Sequence, residues 1–142
     1  MSYSLSFSQA IFVVLFVGDK VAQNYFDFVP TKEISTSLNI PSPSAVKILG
    51  NLANAGIIET REGSRGGVRL AKPAKEITLL DVFNALEAGK PMFRQDHQLR
   101  VTGKKPTRAQ QSVNAVLTDA EEGMKSRLAK TTIANLMASL NQ

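Results

Sequence analysis

Residues 31–71 read TKEISTSLNIPSPSAVKILGNLANAGIIETREGSRGGVRLA. Two short helical patterns flank a turn marked by Pro41, Pro43 and serines, and an Ala-Gly stop at Gly56 closes the second helix. Two strand-like runs follow, around a loop bearing Arg61, Arg65 and Arg69 with Gly63, Gly66 and Gly67. Helix, turn, helix and basic hairpin is the order of a winged helix-turn-helix, which reads DNA. The expected fold is mainly α: a winged helix-turn-helix with a two-stranded wing, followed by a long C-terminal dimerisation helix.

Within this stretch Thr31 reads as an N-cap, with Glu33 in the first turn where the helix dipole favours negative charge. Ile34 and Leu38 face the core, and Asn39 ends the helix. Ser42 reads as the next N-cap and Pro43 as the first helical position. Ala45, Ile48, Leu49 and Leu52 then form a buried stripe, leaving Ser44, Lys47, Gly50, Asn51 and Asn54 on other faces. Ile57 and Ile58 open one strand; Val68, Leu70 and Ala71 return in the other.

Upstream, a helix from about Ser6 to Asn24 carries Phe7, Ile11, Val14, Leu15 and Val21 on one stripe. Phe12, Val13, Phe16 and Val17 cover its remaining sides, so burial on all faces requires a partner subunit. Its apolar run, residues 10–17, is far short of the ~20 residues that span a bilayer. No Lys or Arg precedes it, so it lacks the basic start of a signal peptide. No membrane is expected, and a cytoplasmic location is.

Downstream, Thr78 caps a helix with Leu79, Leu80, Val82, Phe83 and Leu86 inward. From Ala88 to about Arg108 the periodicity dissolves, with six Lys/Arg against one Asp, as in a mobile connector. A long helix follows from about Ala109 to Ala129, with Val113, Val116, Leu117, Ala120, Met124 and Leu128 stepping by three or four. Thr131 or Thr132 caps a last helix with Ile133, Leu136, Met137 and Leu140. A narrow stripe outside the winged domain fits a dimerising helix; the alternative is that it folds back on its own domain. The division expected is a DNA-binding domain at 1–88, a flexible basic connector at 89–108, and dimerisation and terminal helices at 109–142.

The chain has 142 residues, a 43% apolar composition and a formal net charge of +5. That length suits one domain, or one domain plus an assembly element. Residues 41–110 hold twelve Lys/Arg against six Asp/Glu, while 1–40 carry two against three and 111–142 balance at three each. Charge concentrated in the middle third is the footprint of a polyanion-binding surface. No cysteine is present, which excludes disulfides, thiolate metal sites and cysteine catalysis. His97, the only histidine, has just Asp96 beside it and reads as structural or solvated. No Ser-His-Asp set or paired-carboxylate motif appears, and GSRGG lacks the Lys-Ser/Thr of a phosphate loop. No enzyme activity and no cofactor are expected.

These segments, in this order, resemble the Rrf family of bacterial winged-helix transcription regulators (the IscR, NsrR and CymR type) over almost the full length. The resemblance is carried by FSQAIFVVL, Ser-Ala-Val-Lys-Ile-Leu, AGIIETREGSRGGVRLA, ITLLDVFNALE and DAEEGMKSRLAKTTIANLM. It implies a DNA-binding transcriptional regulator; the apolar first helix and the Val113–Leu128 stripe add the expectation of a homodimer on a roughly palindromic operator. Repression is the expected action, with activation left open. Many members hold an iron–sulfur cluster on three cysteines between the fourth and fifth helices. Here that region is PMFRQDHQLRVTGKKPTRAQ, so cluster sensing is not carried over and the chain is closer to a cysteine-free branch. Arg65 also stands where the wing commonly has Gly.

The DNA-binding candidates are Ser42, Ser44, Lys47, Asn51, Arg61, Arg65 and Arg69. Ser42, Ser44 and the N–H groups at the helix start suit phosphate or base-edge hydrogen bonds. Lys47 and Asn51, four apart, share a face; Asn pairs bidentately with adenine and Lys reaches guanine, although phosphate or solvent contact is open for Lys47 and solvent contact for Asn51. Arg61 and Arg65 are expected to enter or flank a minor groove. Arg69 faces out, to phosphate or to solvent. Partners are thus double-stranded DNA, a second copy of the chain, and a small-molecule or protein effector around which the connector orders, with constitutive binding as the alternative. An RNA-binding winged helix and a protein-interaction module remain other readings of the same pattern.

Overall fold

The computed structural model describes residues 4–87 and 89–141, so Ala88, the expected boundary, lies outside the described residues. In chain order the elements are α1 (Ser4–Ala22), α2 (Thr31–Leu38), α3 (Ser42–Asn54), β1 (Ile58–Arg61), β2 (Gly67–Leu70), a 3-10 turn (Ala74–Glu76), α4 (Leu79–Glu87), α5 (Lys104–Ala129) and α6 (Ile133–Ser139). The core is built on α1. Ala10, Val13, Val14 and Val17, spaced as one helical stripe, are fully buried with Ile34 of α2, Ala45 and Leu52 of α3, Val82 of α4 and Ile133 of α6. Val13 and Val17 therefore belong to the inner stripe of this chain and not to a second, outward one. Phe12 is 60% exposed and Leu5 64%. By length and composition alone, α1 is long and apolar enough over Leu5–Ala22 to cross a membrane, more than the eight-residue run suggests. Its inner stripe is instead the floor of the protein core.

The helix-turn-helix follows the expected pattern, with both N-caps one residue early. Thr31 and Ser42 are the first helical residues; Pro30 and Pro41, in extended conformation, are the caps, and neither helix has a side-chain cap. Backbone carbonyls do the work: Glu33 and Ile34 N–H donate to Pro30 O, and Ala45 N–H donates to Pro41 O at 2.9 Å. The Ser42 hydroxyl sits 3.3 Å from the Ser35 hydroxyl, which donates to Ile40 O at 2.6 Å and ties α2 to the turn. Asn39 ends α2 in the left-handed region at φ 53°. Ala45, Ile48, Leu49 and Leu52 are all buried.

β1 and β2 pair antiparallel, with Ile58 opposite Leu70 and Arg61 opposite Gly67. A third segment completes this ribbon: Val29 N–H donates to Val68 O at 2.7 Å and Val68 N–H donates to Val29 O at 2.9 Å. A β-carbon on Gly67 would lie 2.2 Å from Val29 O, and its φ is +149°, so only glycine admits this approach.

Thr78 and Asp81 form a reciprocal cap at the start of α4, and Thr132 and Asn135 form another at α6. The two caps are stitched together, Leu79 N–H to Thr131 O at 2.9 Å and Ile133 N–H to Ile77 O at 2.8 Å. Ile133 is fully buried and Met137 packs on the core, so α6 joins the winged core and not a separate unit with α5. α5 starts at Lys104, before the expected Ala109, because Pro106 sits in its first turn, where no intrahelical N–H is required. None of its 26 residues is buried. The segment before it runs antiparallel along it: Met92 N–H donates to the Glu121 carboxylate, Gln95 Nε2 to Thr118 Oγ1 at 3.0 Å, and Gln110 Nε2 to His97 O at 2.7 Å.

Removing side-chain volume at Ile133 should therefore unsettle the whole winged core. Ile133→Ala is expected to cost about 2–5 kcal/mol in urea unfolding, against within ~0.5 kcal/mol for exposed Leu140→Ala. Equal losses would contradict this placement of α6.

Candidate nucleic-acid interface

The outward face of α3 centres on Pro43, Lys47, Gly50 and Asn54, opposite the buried stripe. Ser44 and Lys47 are exposed and Asn51 is half-buried. These three line a groove of about 470 Å³ with Ser6 of α1, Glu87 at the end of α4, and Lys90. Ser42 is exposed at the helix start, with its hydroxyl turned to Ser35. A β-carbon on Gly50 would meet nothing within 4 Å, so the helix surface there is flat and open. Val46, 60% exposed beside Lys47, is a member of this face that the apolar pattern hid. Its signal was an apolar residue out of phase with the core stripe.

The wing differs from expectation in how its cations are used. Arg61 and Arg69 lie on the ribbon's outer face, and both guanidinium groups stack on Phe28, at 4.1 and 4.4 Å from the ring centroid. Such contacts contribute roughly 0.5–1 kcal/mol at exposed sites. Arg61 also donates from Nε and NH2 to Arg65 O, at 3.2 and 2.6 Å. In the chain without DNA, Arg61 thus also braces the wing, because Arg65's carbonyl and Phe28 both lie within its reach. Arg69 faces out as expected and pairs with Glu59. The Arg65 side chain makes no hydrogen bond or ion pair among the described residues, and it sits at the exposed tip. Phe28 was invisible as a site residue, since nothing local links it to residues more than thirty positions away.

Along α5, Val113 (56%), Val116 (67%) and Ala120 are exposed, while Leu117, Met124 and Leu128 are half-buried. Arg94 pairs with Asp96, which raises the guanidinium's pKa and holds the carboxyl below its ordinary value, the hydrogen bond between them being the main cause of both. Among the described residues no group of three His, Cys, Asp or Glu side chains is placed to hold a metal. With no cysteine in the sequence, the donor set does not fit an iron–sulfur cluster.

Residues 4–139 match the family model described as "Rrf2: Iron-dependent Transcriptional regulator". YwgB of Bacillus subtilis, by name a candidate HTH-type transcriptional regulator, is 30% identical over 94 residues, 66% of this chain and 58% of that protein. Protein aau3 of Rhizobium meliloti is 46% identical over 55 residues, 39% of this chain and 36% of its own. Across such named relatives the matches span 36% to 65% of the relatives' length. Among solved structures, T. potens IscR superimposes with a TM-score of 0.71 at 16% identity, covering 99% of this chain and 88% of that one. CymR (YrzC), the global cysteine regulator of B. subtilis, gives 0.67 at 17% identity, with 98% of each chain covered. At these identities the two structures share a fold with this chain.

The Gly67 geometry makes a local prediction about the wing. Gly67→Ala should separate Val29 from β2, costing more than about 1 kcal/mol. Hydrogen exchange should show lost protection at the Val29 and Val68 amides while α1 amides keep theirs. Unchanged protection at both valines would refute the requirement for glycine.

Proposed function

Because the chain belongs to the Rrf2 family of transcriptional regulators, we propose that it binds duplex DNA sequence-specifically as a homodimer on a roughly palindromic operator and represses transcription there. The observation that carries this reading is the pairing of an open polar recognition face, Ser44–Lys47–Asn51, with a braced wing that leaves Arg65 unengaged at its tip. α3 would lie in the major groove, where Lys47 and Asn51 offer donors to base edges and Val46 offers methyls to thymine. Ser42 and Ser44 would serve the phosphates at the helix start. Arg65 would meet the minor groove, whose narrow A·T tracts concentrate negative potential. Arg61 and Arg69 would support it from behind, Arg69 adding charge beside the backbone.

Dimerisation is proposed along α5 through Val113, Val116, Leu117, Ala120, Met124 and Leu128, of which Val113, Val116 and Ala120 are exposed, with exposed Phe12 of α1 as further apolar surface. A two-fold dimer presents two recognition helices one DNA turn, ~34–36 Å, apart, which is what makes the operator palindromic. Repression would follow from such a dimer lying across a promoter, where it would exclude polymerase. The family description invokes iron, but the donor set of this chain supports action without a cluster. A small-molecule or protein effector at residues 89–108 would change operator affinity only by binding the DNA-competent dimer differently from other states. The same reading assigns the chain to the cytoplasm, with its DNA.

Binding to a selected operator should weaken with salt along a log–log slope of roughly −0.9 per phosphate contact. Arg65→Ala should cost about 1–3 kcal/mol, partly following A·T content beneath the wing, and more than Arg94→Ala, whose side chain is paired away on the connector. A flat salt plot, or equal affinity for every duplex, would remove the DNA-regulator reading. Preference for single strands or RNA would favour the RNA-binding alternative.

Leu117→Glu with Met124→Glu should yield monomers by light scattering and weaken operator binding by at least tenfold, since linked half-sites multiply affinity by roughly 10²–10⁴. A wild-type monomer at micromolar concentration would contradict the dimer.

A further inference from the structure

The groove beside α3 has a wall that no recognition-helix pattern supplies. Lys90 comes from the segment after α4, yet it lines the same space as Ser44, Lys47 and Asn51. It is exposed, and its ammonium has no hydrogen bond or ion pair among the described residues. A lysine on a loose connector would add little, because ordering it on binding carries an entropic cost. This one is held on both sides. Gly89, in the left-handed region at φ +78°, turns the chain out of α4, and Lys90 N–H donates to Glu87 O at 3.1 Å. Two residues on, Met92 N–H is bound by the Glu121 carboxylate, whose other oxygen lies 3.7 Å from Lys125 Nζ. The backbone of Lys90 is therefore fixed between α4 and α5 before anything binds.

We propose that Lys90 is a further DNA contact, neutralising a backbone phosphate of the strand that runs over the groove between α3 and the end of α4. The inference rests on the DNA-binding reading above. It gives the protomer three grips on the duplex: base edges and phosphates at α3, the minor groove at the wing, and a phosphate at the corner after α4. Because an ammonium offers a point charge with no fixed fork, the Lys90 contact strengthens binding without selecting sequence. Glu87, in the same groove, repels phosphate, so the strand is confined to the Lys90 side of it.

The test is the salt dependence of full-length protein on its operator and on a scrambled duplex. Lys90→Ala should reduce the magnitude of the log–log slope by about 0.9 per protomer, ~1.8 for the dimer, and lower the dimer's affinity on the order of sixtyfold at 0.1 M salt, equally for both duplexes. Lys90→Arg should restore the slope. Lys130→Ala removes the same charge at the exposed C-cap of α5 and should leave the slope unchanged. Unfolding curves identical to wild type for Lys90→Ala would confirm that folding is intact. An unchanged slope in Lys90→Ala, an equal change in Lys130→Ala, or a loss confined to the operator would each overturn the proposal while leaving the DNA-binding reading in place. Absence of duplex binding by the wild type would remove both.

Discussion

Close packing along one stripe of α1 is the constraint that the other elements obey. Ala10, Val13, Val14 and Val17 are small or β-branched, and Gly18 follows them. A β-carbon at Gly18 would sit 3.2 Å from both Leu70 Cδ1 and Met137 Sδ, so β2 and α6 approach the helix there as closely as a glycine allows. α2, α3 and α4 pack against the same helix. The recognition helix is thus positioned through a rigid intermediary, because close-packed interiors of this kind resist small displacements. Phe12 and Leu5 of α1 are left on a side that the described residues leave open, while Phe7 packs edge-on against Phe83.

The wing is organised by a different logic, polar and aromatic instead of apolar. A two-stranded ribbon is marginal by itself. Here Val29 adds a third line of backbone hydrogen bonds on one edge, and Phe28, its neighbour, lies beneath two guanidinium groups. Two of three arginines are consumed in making the hairpin stiff, and the third is left at the tip. Stiffness matters to a groove-binding element, since a loop ordered only on contact loses conformational freedom at that moment.

Much of this was legible in sequence wherever the signal was local. The Ala45–Ile48–Leu49–Leu52 stripe, the end of α2 at Asn39, the helix stop at Gly56 and the cap at Thr78 follow from spacing or from side chains that satisfy nearby N–H groups, while the choice of Thr132 over Thr131 as the last cap rests on its bond from Asn135 N–H. Thr31 and Ser42 mislead by one position because each follows a proline whose extended carbonyl already accepts the first helical bonds. The early start of α5 was hidden by Pro106, a residue that ends a helix interior but suits a first turn. What no local signal could reveal is juxtaposition. Phe28 under the wing, Lys90 beside α3 and α6 on the core each join segments separated by forty residues or so, or more, and only the tertiary fold brings them together.

The stitch between the starts of α4 and α6 gives the chain a property of architecture. Thr78 and Thr132 form an isolated bridge, so the chain that goes out after α4 returns to the core beside the start of that helix. Beyond the α4 residues that enter the core, that excursion is an antiparallel arm made of α5 and the segment laid along it. Both ends of the arm are clamped at its root, so changes in its length need not strain the winged head. Closing a loop twice as long costs only about 0.6 kcal/mol. A residue added to or removed from the arm therefore alters its reach while the Thr78–Thr132 seam and the head stay as they are.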